Sequence, residues 1–105
     1  MRGFQLSFMT EQGRRIEGKP AVEWLLTAAK DVGCSGATTF AGMESYGAGG
    51  HHSAHFIELA DQPVQVIIAV TDEQATALLS KIGATKTRLF YTKTVVEYGT
   101  LGTEA

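Results

Sequence analysis

"VQVIIAVTDEQATALLSKIG", Val64 to Gly83, joins a short β-branched run directly to a helix start. Val64 to Val70 is apolar at nearly every position and too short for a buried helix, which predicts a central strand covered on both faces. Thr71 and Gln74 stand at capping-box spacing, and Ala75, Leu78, Leu79 and Ile82 recur with a helical period. Gly83 is the expected stop.

Working outward, Gly3 to Met9 reads "GFQLSFM" and alternates Phe4, Leu6 and Phe8 with polar residues, the period of a half-buried strand. A polar stretch, Thr10 to Lys19, leads to Pro20, a residue suited to the first helical position. Val22, Leu25, Ala29 and Val32 then share one helical face, and Gly33 ends it. Trp24 and Leu26 widen that face, as suits a helix lying on a sheet, with Trp24 in the core or an interface. "GATTFAGMESYG", Gly36 to Gly47, predicts a second strand running into a glycine loop. "AHFIEL", Ala54 to Leu59, alternates as a short extra strand, and "RLFYTKTVVEYG", Arg88 to Gly99, ends the series as a long one.

The order β-α-β-loop-β-β-α-β contains the βαββαβ pattern of an α+β, ferredoxin-like sandwich with an extra short strand. Helices then lie on one face of the sheet. The other face needs a cover, and in a chain of 105 residues a second copy is the expected one.

That length predicts a single domain over residues 1–105. Nine Lys and Arg against eleven Asp and Glu leave a formal charge of −2, without the basic footprint that nucleic acid requires. No apolar run approaches the roughly 20 residues that span a bilayer, and the N-terminal stretch lacks a signal-like apolar core, so the expected location is cytoplasmic. The one cysteine, Cys34, reads as a small half-buried residue after a helix rather than a nucleophile.

The chemistry-bearing residues crowd into "SYGAGGHHSAHFIEL", Ser45 to Leu59. Gly47, Gly49 and Gly50 can turn backbone N–H groups toward an anion, or simply make a flexible switch loop. His51, His52 and His55 are imidazoles suited to zinc, copper or nickel, or solvated loop residues. On a strand His51 and His55 share a face and His52 does not, so a third ligand would come from Glu44 or another subunit. Glu23, Glu44, Glu58 and Glu97 are scattered, and Ser45, Thr38 and Thr39 have no positioned base, which points away from an enzyme.

Glu17 to Glu73 resembles the DUF190 branch of the PII-like signalling superfamily. Four matches in order carry the resemblance: Gly18 and Pro20 at the start of the first helix, "GATTFAGMESYGAGG", a following histidine, and "ELADQPVQVIIAVTDE". The resemblance implies a PII-like homotrimer with a long T-loop-like insertion at residues 45–55 and ligand clefts between subunits. It further implies an adenine nucleotide effector and a regulated partner such as a membrane transporter or channel. Gly36, Thr38, Tyr46 and Gly47 match the cleft wall and loop base; Ala48 and Gly49 follow them. PII proteins place arginine, glutamine and lysine after that glycine, whereas this chain has Ala48, Gly49, Gly50, His51 and His52. With fewer cations there, AMP or ADP fits better than ATP, and Lys86 and Arg88 are the residues expected at the phosphate. The alternative is a divalent-metal-binding trimer similar to CutA, using His51, His52 and His55.

Overall fold

Residues 1–41, 45–47, 50–52 and 62–102 are described by the computed structural model. Strand β1 (Arg2–Glu11) pairs antiparallel with two strands far from it in sequence, β7 (Pro63–Val70) and β8 (Phe90–Glu97). A shorter strand, β4 (Thr38–Ala41), adds to the far side of β7. The sheet order β4-β7-β1-β8, with helices α1 (Ala21–Asp31) and α2 (Asp72–Ala84) between the strands, is the ferredoxin-like arrangement.

Cross-strand register sorts the side chains. Leu6 opposes Ile68, Phe8 opposes Val66 and Phe4 opposes Val70, so the period of two puts these residues on one face. Leu25 and Ala28 of α1 and Leu78 and Ile82 of α2 bury against them in a single apolar cluster. Val64 to Val70 was expected to be covered on both faces. Among the described residues it is covered on one only: Val64, Val66, Ile68 and Val70 are buried, Gln65 and Ile67 are half-buried, and Ala69 is exposed. Both helices lie on the same side.

The stretch before α1 holds more structure than its polarity suggests. Strands β2 (Arg15–Ile16) and β3 (Lys19–Pro20) form a small hairpin whose turn residues, Glu17 and Gly18, have φ of 52° and 80°. Two successive positive φ values match the right-handed strand twist, which is why such turns close hairpins. Ile16 is fully buried, and Trp24 donates its indole N–H to Glu17 Oε1 at 2.9 Å, tying the turn to the helix. Pro20 is consequently the residue before the helix, with ψ of 132°, rather than its first helical position. Leu26 does not widen the buried face; it is 38% exposed. Gly33 ends α1 as expected, at φ of 89°.

At α2 the capping box is complete: Gln74 N donates to Thr71 Oγ1 at 3.1 Å and Thr71 N to Gln74 Oε1 at 3.0 Å. The expected stop at Gly83 is wrong. The helix runs on to Ala84, Thr85 donates its hydroxyl to the Ile82 carbonyl at 2.7 Å, and Lys86 rather than a glycine takes the left-handed position, at φ of 59°. The second predicted strand divides in two. Thr38–Ala41 joins the sheet, while β5 (Ser45–Gly47) pairs with β6 (Gly50–His52) in a separate hairpin. The extra strand expected at Ala54 to Leu59 lies outside the described residues.

Candidate functional site

Four residues in register cross the uncovered face at one end of the sheet: Phe40 opposes Gln65, Gln65 opposes Met9, and Met9 opposes Phe90. Phe40, Met9 and Phe90 are 52%, 41% and 67% exposed, an apolar row that no part of the chain's described residues covers. The next row is Thr38, Ile67, Ser7 and Thr92, in which Gln65 reaches over to donate to Ser7 Oγ at 2.7 Å. Thr38 therefore belongs to this open face, on the β4 edge.

Gly36 is exposed just before that strand, and a Cβ built on it would meet nothing within 4 Å. Its φ lies outside the left-handed region, so the single chain gives no steric reason for a glycine there. Tyr46 and Gly47 lie in the hairpin, where Tyr46 opposes His51, Ser45 opposes His52 and Gly47 opposes Gly50. Ala48, Gly49, His55, Glu44 and Glu58 lie outside the described residues. No group of three His, Cys, Asp or Glu able to hold a metal occurs among the described residues.

Lys86 and Arg88, both exposed, flank the opposite edge strand, in the connection from α2 to β8. A lysine in the left-handed region costs roughly 1–2 kcal/mol that glycine would not. The loop is ordered by Thr85, whose Oγ1 accepts from Thr87 N at 3.2 Å. Since β7 and β1 intervene, the strands bearing the two sets of candidates are three spacings apart, about 14 Å. One chain separates what the expected site requires together.

Sequence reasoning missed Arg14. Its side chain, half-buried, donates to the backbone carbonyl of Arg88, 74 residues away, and its own carbonyl accepts from Ala21 N at 2.8 Å at the start of α1. No spacing rule could have found it, because the contact exists only after β1 and β8 pair. Neighbouring Arg15 is committed elsewhere, donating to Gly18 O at 3.2 Å. Among the described residues the one ion pair is Lys81 with Asp31, at 3.3 Å, joining the last turns of α2 and α1. Cys34 is half-buried against the core, and desolvation pushes its thiol above the usual value, which makes it a poor nucleophile.

Comparison with known proteins gives the fold a context. The DUF190 family model, described as an uncharacterized ACR, matches residues 3–98. A curated relative, a UPF0166 protein of Aquifex aeolicus (strain VF5), is 30% identical over 69 residues; the match spans 66% of each chain, a little under two thirds of that relative's length. Among solved structures, CPII from Thiomonas intermedia K12, a nitrogen regulatory PII-like protein bound to ADP, AMP and bicarbonate, aligns with a TM-score of 0.70. That alignment covers 94% of this chain and 97% of CPII at 16% identity. A PII-like signaling protein of Thermus thermophilus aligns with a TM-score of 0.64, over 90% of this chain and 89% of that one, at 14% identity.

Proposed function

The chain belongs to the DUF190 family and has the PII-like ferredoxin fold, and on that premise we propose that it is a signal-transduction protein whose effector is an adenine nucleotide, AMP or ADP. The nucleotide binds in clefts between the subunits of a homotrimer. The observation that carries this reading is the split of the candidate residues: Gly36 and Thr38 flank one sheet edge, Lys86 and Arg88 the other. A site using both needs two copies, with the β4 edge of one facing the β8 edge of the next. The uncovered apolar row of Phe40, Met9 and Phe90 supports the same assembly, and the ADP and AMP held by CPII support the choice of ligand.

In this scheme Gly36, Thr38, Tyr46 and Gly47 contribute backbone and packing contacts, and Lys86 and Arg88 meet the phosphate. Nucleotide contacts made with one arrangement of residues 45–55 bias that segment and so change its affinity for a partner, a membrane transporter or channel. Titration calorimetry with AMP, ADP, ATP and cyclic nucleotides tests the ligand. Micromolar to millimolar binding of AMP or ADP is expected, and heat from none of them at millimolar concentration overturns the nucleotide reading.

A further inference from the structure

We propose that Arg14 is a positioning residue for the phosphate end of this site, holding the α2–β8 connection through the Arg88 carbonyl and adding a third cation to Lys86 and Arg88. The inference rests on the nucleotide reading above and deepens it.

Three observations meet at this corner. Arg14 ties the chain before α1 to the chain before β8, through its side chain on Arg88 O and its carbonyl on Ala21 N. Lys86 occupies a left-handed position where glycine is the unstrained choice, so its side chain is kept there against a local cost. Third, the charge exceeds the structural need. The C-terminus of α2 presents about half a negative charge, which one cation near the last turn satisfies. Lys81, in that turn, is already paired with Asp31. Arg14, Lys86 and Arg88 bring three positive charges, and among the described residues none forms an ion pair with a carboxylate. A phosphate, with up to two negative charges and several acceptor oxygens, suits that excess; adenosine alone would not use it.

Calorimetry on the full chain with ADP, AMP, adenosine and inorganic phosphate, for wild type, Arg14→Ala and Arg14→Lys, tests the assignment. Arg14→Ala is expected to weaken ADP and AMP at least tenfold while leaving adenosine within twofold, and Arg14→Lys, which can still donate to the Arg88 carbonyl, to recover part of the loss. Equal weakening of ADP and adenosine would mark Arg14 as merely structural and overturn the proposal, as would unchanged ADP binding in Arg14→Ala. If Arg14→Ala fails to fold, Arg14→Lys decides: ADP affinity indifferent to ionic strength in both wild type and Arg14→Lys overturns it. Should wild type bind no nucleotide, the functional reading falls separately. Inorganic phosphate then tests the corner: binding lost in Arg14→Ala upholds it, and binding absent or unaltered does not.

Discussion

The two faces of the sheet are made by the same four strands and end in opposite conditions. On the helix side Leu6, Phe8, Val66 and Ile68 are at most 1% exposed, sealed by residues of α1 and α2. On the other side the same strands turn out Met9, Phe40 and Phe90, interleaved with Ser7, Gln65 and Thr92. The helix-side face is closed by the chain's own helices; among the described residues nothing closes the other. The lesson is that the core and the exposed surface are written on alternate residues of one strand, and each can be disturbed without the other.

Phe8→Ala is the sharpest test of the sealed face. It removes a ring packed at the centre of β1 and is expected to cost about 3–5 kcal/mol in denaturant unfolding. Met9→Lys, one residue on, places a charge in the open row. We expect the chain to keep its circular dichroism spectrum while the assembly dissociates at a concentration at least ~100-fold higher, equivalent to about 2.7 kcal/mol, measured by sedimentation. An unchanged sedimentation profile would remove the open face from the interface and break the comparison.

Smaller effects sharpen it. Thr71→Ala removes the cap that starts α2 over the sealed face and should lower stability by about 1 kcal/mol, read as a fall in denaturation midpoint at constant slope. Lys86→Gly relieves the left-handed backbone where α2 meets the β8 edge. It should raise chain stability by up to about 1 kcal/mol while weakening ADP binding, so the two readouts move in opposite directions. The smallest effect concerns pH. Burial raises the Cys34 thiol above its unfolded value, so the neutral thiol is favoured in the folded chain; that advantage is complete below the unfolded value and is lost as the unfolded thiol ionises. Stability should therefore fall slightly as pH rises from about 8 to 10, and Cys34→Ser should flatten that slope.

What the sequence disclosed follows the range of the interactions concerned. The Thr71–Gln74 cap, the end of α1 at Gly33 and the alternation of β1 are set by neighbours a few residues apart, and all were legible; the one-sided burial of β7 was not, because its residues are apolar on both faces. The continuation of α2 past Gly83 was not, since it follows from the burial of Ile82 against the sheet and from the Thr85 hydroxyl taking up the Ile82 carbonyl. Nor was the hairpin at Arg15 to Pro20, where a Glu-Gly turn gives a weaker signal than Asn-Gly or Asp-Gly. For the candidate site, Lys86 and Arg88 could be picked out by charge, but Arg14 joins them only through a contact made by tertiary pairing.

The separation of the candidate residues onto opposite sheet edges has a consequence for genetics. If every cleft borrows one edge from each of two copies, two individually defective chains can repair each other. A copy damaged at Thr38 and a copy damaged at Arg88, expressed together, would form mixed trimers in each of which one of the three clefts pairs an intact β4 edge with an intact β8 edge. Neither damaged parent could form such a cleft alone. Recovery of binding on mixing would therefore count the number of chains that contribute to one site.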